Sequence, residues 1–113
     1  MQKTDTVRLR HRLDAAREAL AFAQGRSRAD LDKDRMLVLA LVKSIEIVGE
    51  AASKVSPAAR SAVPGLPWSS IVGMRNRLIH AYFDIDLDRV WDTITDDLPP
   101  LITELERSLR DAE

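Results

Sequence analysis

Four residues in one short stretch could do chemistry together. They are Arg75, Asn76, His80 and Tyr82, within WSSIVGMRNRLIHAYF from Trp68 to Phe83. His80 is one of only two histidines in the 113-residue chain. An imidazole with an unperturbed pKa of ~6.5 can take and give a proton near neutral pH. Arg75 stays charged and presents paired donors in a planar fork, a geometry that suits a phosphate. Asn76 could hold either the imidazole or the phosphate in place.

The element that must position them reads as a helix. On a helix, Trp68, Ile71, Val72, Leu78, Ile79 and Tyr82 form one apolar stripe. Arg75 falls near the middle of that stripe, where a hydrophobe is expected. An unpaired guanidinium against packed surface costs several kcal/mol, so it must meet an acid, a phosphate or a polar cleft. Asn76 and His80, four apart, share a face at the border of the stripe. Arg75 and His80, five apart, lie roughly 140° around an ideal helix. To meet on one ligand they need a curled arginine, a helix end near His80, or a second copy of the helix.

The order Arg-x4-His-x-Tyr, from Arg75 to Tyr82, resembles the signature of HEPN domains, and most of all their HepT-like toxin branch. Flanking segments agree with the resemblance. IVGEAASKV (Ile47–Val55) precedes the motif, PWSSIVGMRN leads into it, and YFDIDLDRVW (Tyr82–Trp91) with DLPPL (Asp97–Leu101) follows. The similarity runs from about Met36 onward. It implies an all-α, HEPN-like fold and a metal-independent endoribonuclease toxin, with RNA as substrate and Arg75 and His80 catalytic. It also implies a homodimer, and a cognate minimal nucleotidyltransferase as antitoxin. Tyr82 would be the acceptor of AMP from that partner, which silences the toxin.

The residues are consistent with that chemistry. Cleaving RNA without a metal requires activating a 2′-hydroxyl, stabilising the phosphorane charge and protonating the leaving oxygen. One protomer offers one credible histidine, so an acid and a base together call for two copies of His80 and Arg75 at a shared two-fold cleft. An AMP group two residues from His80 would block and repel an RNA phosphate. On its position alone, Tyr82 reads equally as a core aromatic with its hydroxyl at the edge. Two other readings stand beside the nuclease. One is a catalytically inactive module that binds a nucleotide or the nucleotidyltransferase, with Arg75 as phosphate anchor. The other is a plain helical dimerisation domain in which Arg75 pairs with Glu46 or Glu50.

Composition bounds these readings. Hydrophobic residues make up 45% of the chain, aromatics 4%, and there are four glycines. Long aliphatic runs with little β-branched alternation point to one all-α domain spanning 1–113. No cysteine is present, which excludes disulfides and thiolate metal sites and suits a reducing compartment. With no His/Cys cluster, neither a metal nor another cofactor is expected. No apolar signal core or membrane span is found, so a soluble, cytoplasmic protein is expected. The net charge of −1 hides an asymmetry: residues 1–83 balance at +6 and residues 84–113 at −7. A basic front could orient nucleic acid toward the motif, or both ends could be ordinary solvated faces.

Taken in order, a first helix is expected from about Thr6 to Gln24, with a seam of Leu9, Leu13, Ala16, Leu20 and Ala23 and with Gly25 ending it. Arg8, Arg10, His11, Arg12 and Arg17 around it read as phosphate contacts or, in preference, as a solvated face. Asp30 or Asp32 would cap a second helix ending near Val55. Its Met36–Val42 run should be buried on most sides, at the bundle centre, the dimer surface, or both. Glu50, one turn from Glu46, could support Arg75 or face Lys54 at i+4. Ser56-Pro57 should start a short helix ending near Ala62. Asp84, Asp86 and Asp88 fail as a calcium loop, because Arg89 and Thr95 stand where glycine and glutamate are required. They should charge and cap the last helix instead. That helix buries Leu87, Val90, Trp91, Ile94, Leu98, Leu101, Leu105 and Leu109, and Pro99-Pro100 must kink or split it. The expected architecture is an up-down four-helix bundle with an additional short helix and a proline-kinked last helix.

Overall fold

The computed structural model describes residues 3–62, 73–81 and 84–112, of which 51–53, 62, 74, 75, 79–81, 111 and 112 are described in their backbone course. The chain is predominantly helical, as expected. Helix α1 (Lys3–Ala23) is rich in alanine, leucine and arginine, strong helix formers. Its seam is buried as read: Leu9, Leu13 and Ala16 are in the core, with Leu20 and Ala23 packed at its edge. Gly25 ends the run with φ +74°, a left-handed conformation that glycine adopts without a Cβ penalty.

The connection that follows is tied by charge. Ser27 N–H donates to Asp30 Oδ2 at 2.7 Å, opening a 3-10 turn over Arg28–Asp32. Arg26 pairs with Asp34 at 2.7 Å, and Arg28 with Asp88 at 2.7 Å, joining this corner to the start of the last helix. Helix α2 (Arg35–Ser53) is capped by neither Asp30 nor Asp32. Asp34 does it, accepting from Leu37 N–H at 3.1 Å. Leu37, Val38, Leu41, Val42, Ile45 and Val48 fill the core. Burial on most sides is corrected at two positions of the same run: Met36 is 81% exposed and Leu39 49%. A one-sided stripe is what a helix packed against α1 along one flank requires.

Helix α3 (Pro57–Ala62) begins where proline at the first position predicts. Ser56 Oγ accepts from Ala59 N–H at 3.2 Å. The same serine donates to Asp5, from its N–H at 2.9 Å and its hydroxyl at 2.7 Å. Asp5 is buried, and these two donors hold its carboxyl below the usual carboxylate range, the backbone N–H most strongly. A folded-state pKa below the unfolded ~3.9 means the stabilisation is present above that value and fades as pH falls through the folded one. Asp5→Asn is therefore expected to lower the melting temperature at neutral pH and to flatten its decline below about pH 4. Calorimetry across that range checks it; parallel acid limbs for the two proteins contradict it.

After α4 (Met74–Leu78) comes a short antiparallel ribbon, β1 (Ile79–Ala81) with β2 (Asp84–Ile85), pairing Ile79 with Ile85 and Ala81 with Asp84. Helix α5 (Leu87–Asp92) starts at Asp86, whose Oδ1 accepts from Arg89 N–H at 3.0 Å. Asp86 thus caps the helix and Asp88 charges its first turn, as read, while Asp84 belongs to β2. Instead of breaking at the prolines, the chain passes through a π segment (Thr93–Asp97) into α6 (Leu98–Ala112). Leu98 N–H bonds back to the Thr93 carbonyl, five residues away. Pro99 and Pro100 cannot donate to the carbonyls four residues before them and crowd those carbonyls, and the wider turn accommodates this. It also keeps the stripe in phase. Two successive four-residue steps, Val90 to Ile94 to Leu98, drift ~80° on an ideal α-helix. All three residues are nonetheless buried.

Helix α1 runs antiparallel to both long neighbours. Its start meets the end of α2 through Asp5 and Ser56, and Arg17 meets Glu106 of α6 at 3.1 Å. Among the described residues, no helix is long and apolar enough to cross a membrane.

Candidate active site

The motif does not lie on one helix. α4 stops at Leu78, and Ile79, β-branched and suited to an extended backbone, opens β1. Arg75 is therefore the second residue of a five-residue helix, and His80 is the central residue of a strand. This corrects the expectation of a continuous helix through Phe83, and with it the 140° separation. Of the three ways for Arg75 and His80 to converge, the backbone supplies a helix end directly before His80. The side chains of Arg75 and His80 lie outside the described residues, as do Tyr82 and the stripe residues Trp68, Ile71 and Val72.

The junction is anchored from below. Leu78 is 1% exposed in the core, and its carbonyl accepts Asp86 N–H at 2.8 Å. Ile85 and Leu87 pack against the same core, and α4 rests on α2 and α5. The ribbon thus stands on a buried leucine and on the capped start of α5, whose Asp88 is held by Arg28. Rigid support of this kind places catalytic side chains better than a free loop does. Asn76 and Arg77 are exposed on α4.

Glu50 is exposed on α2 and pairs with Lys54 at 3.5 Å, the i+4 partner read in the sequence. Glu46 is three-quarters buried, with Lys43 at 3.9 Å. Glu50 and Lys54 also share a groove of about 370 Å³ with Val7, Arg8, His11 and Ile47. Arg8 donates to the Lys54 carbonyl at its edge. His11 is exposed there.

The fully buried arginine that the structure does describe is elsewhere. Arg12 of α1 is 0% exposed, and burial, with the Arg60 charge adding to it, pushes its guanidinium down to about 10. Reading Arg12 as part of a solvated face is thus wrong. Spacing alone does not single it out: Arg12 is three after Leu9 and four before Ala16, and Arg17 is likewise four after Leu13 and three before Leu20. Arg10, His11 and Arg17 are nonetheless exposed.

Comparison with known proteins adds an independent finding. The sequence model of the family described as "Ribonuclease HepT-like" matches residues 12–108. A candidate RNase of Caldanaerobacter subterraneus subsp. tengcongensis is 35% identical over 108 residues, covering 96% of each chain. A candidate RNase of Methanocaldococcus jannaschii is 32% identical over 94 residues, 83% of this chain and 86% of the relative. A protein of Thermococcus cleftensis named as a probable ribonuclease HepT is 34% identical over 74 residues, 66% of this chain and 67% of the other. No solved structure matches the chain.

Proposed function

The chain belongs to the HepT-like ribonuclease family, and from that premise we propose that it is a metal-independent endoribonuclease toxin acting as a homodimer. The observation that carries the proposal is Arg75 and His80 set at a helix-to-strand junction braced by Leu78 and Asp86, within the segment the family covers. In this reading Arg75 binds the scissile phosphate and stabilises the phosphorane. His80 of one protomer takes the 2′-hydroxyl proton, and the second copy's imidazole protonates the leaving 5′-oxygen. The 2′-oxygen–phosphorus bond forms as the phosphorus–5′-oxygen bond breaks, leaving a 2′,3′-cyclic phosphate. Asn76 and Glu50 are supporting residues.

The dimer reading is supported by Met36 and Leu39, exposed apolar side chains on the outer flank of α2 that a second copy would cover. The test is cleavage of RNA by the purified dimer in the presence of a chelator, with His80→Ala beside it. Cleavage that vanishes with chelator, or survives in the variant, refutes the mechanism.

The regulatory half concerns Tyr82 and a cognate minimal nucleotidyltransferase antitoxin. The tyrosine oxygen attacks the α-phosphate of ATP, an aryl phosphodiester forms, pyrophosphate leaves and the phenolic proton goes to solvent. The added anion stands two residues from His80 and repels RNA. Co-expression with the transferase is expected to add the mass of AMP to the peptide containing Tyr82 and to reduce cleavage at least tenfold. Tyr82→Phe should retain cleavage and escape silencing. An adduct at another residue contradicts this assignment.

A further inference from the structure

The packed chain sorts the basic cluster of α1. Arg12 is turned inward and Arg17 is held by Glu106 at 3.1 Å. Arg8 and His11 instead meet Lys54 of α2 in the groove of about 370 Å³. Its walls are two helix faces with residues three and four apart: Val7, Arg8 and His11 from α1, and Ile47, Glu50 and Lys54 from α2. The charge is therefore in the lining itself. Arg8 and Lys54 against Glu50 leave a balance of +1, before His11 takes a proton.

Each cation has donors to spare. Arg8, half-buried, gives one N–H to the Lys54 carbonyl, and a guanidinium carries five. That bond also ties the two walls together, so the cations stand on a fixed frame. His11 is exposed and makes no hydrogen bond or ion pair among the described residues. Lys54 faces Glu50 at 3.5 Å, but both are exposed, and such a pair is weak enough to yield to a phosphate. Asp5, a second carboxylate close to Arg8, is committed to the two donors of Ser56. Glu50 is thus the acceptor at the groove, set among cations, and an acceptor there calls for a hydroxyl beside the anion.

We infer that this groove holds a backbone segment of single-stranded RNA, its phosphate on Arg8, His11 and Lys54 and a ribose 2′-hydroxyl donating to Glu50. The sugar edge rests on Val7 and Ile47. Phosphate contacts fix the register of a strand, and a 2′-hydroxyl contact tells RNA from DNA. Helix α2 joins this surface to the motif, since α4, which carries Arg75, rests on it. The inference takes its ligand from the ribonuclease reading and adds a second contact surface to it.

The probe is a fluorescein-labelled single-stranded RNA, titrated with the full-length His80→Ala protein so that the strand is bound without being cut, and followed by anisotropy. His11→Gln with Lys54→Gln is expected to weaken binding about tenfold and to flatten its decline with salt, since fewer counterions are released. Lys33→Gln, an exposed cation outside the groove, should leave affinity unchanged. Glu50→Ala should reduce the preference for RNA over DNA of the same sequence about tenfold, the size of one hydrogen bond to a charged group. All four side chains are exposed, and circular dichroism checks that the fold is kept. Unchanged affinity in the paired substitution, equal weakening by Lys33→Gln, or an RNA preference untouched by Glu50→Ala overturns the proposal. So does displacement of the strand by equimolar AMP, which would make the groove a mononucleotide site. A fall in mass in solution on the paired substitution would put a second copy of this chain there and overturn it as well. Wild-type protein that binds RNA through this groove and never cuts it would instead refute the nuclease mechanism and leave the groove assigned.

Discussion

Replacing His80 by alanine is expected to reduce RNA cleavage by about 10²–10⁴-fold, the range that general acid–base groups contribute. It should leave melting temperature and mass in solution unchanged. The histidine sits in the middle of a three-residue strand whose pairing with β2 is made by backbone groups. Alanine keeps those groups, and the anchors beneath the junction, Leu78 and Asp86, are untouched. Mixing His80→Ala with Arg75→Ala protomers sharpens the test. If the two-fold cleft combines groups from both chains, the pH profile of the residual activity in the mixture should differ from that of either homodimer. Cleavage by His80→Ala at the wild-type rate refutes the catalytic assignment outright.

The second large effect is on stability. Leu41 is 0% exposed at the centre of α2, and Leu41→Ala should cost about 2–5 kcal/mol, the methylenes removed plus the cavity left. Against a total of about 5–15 kcal/mol for a domain, that is enough to leave a marginal protein partly unfolded at working temperature. Leu39→Ala, two residues away and 49% exposed, should change monomer stability by no more than about 0.5 kcal/mol. Its effect should appear instead as weaker dimerisation. Chemical denaturation of both variants, with light scattering for mass, separates the two. Equal destabilisation by both would mean that α2 is buried on both flanks.

Much of the scaffold could be read from residue order. The seam of α1, the Ser56-Pro57 start of α3, Asp86 as cap and the long apolar stripe of the last helix are all local patterns. Each depends on helical period or on a side chain reaching its own backbone a few residues on. Residue type does not single out the cap of α2, because Asp30, Asp32 and Asp34 are equivalent in that respect. What separates them is where the 3-10 turn over Arg28–Asp32 ends: Asp30 and Asp32 lie inside it, whereas Asp34, itself paired with Arg26, directly precedes Arg35 and reaches Leu37 N–H.

Residue types and spacing determined the family, the helical class and the candidate chemistry, because a motif such as Arg-x4-His-x-Tyr survives intact in one dimension. Tertiary structure alone decided that the helix ends between Leu78 and Ile79, since β-branched Ile79 is compatible with either period until β2 arrives to pair with it. It alone turned Met36 and Leu39 outward and Arg12 inward. A run of apolar residues does not say which flank a neighbour will cover, and a charge on a seam does not say whether the neighbour will close over it. Those outcomes rest on which helix lies alongside, and that is a property of the packed chain.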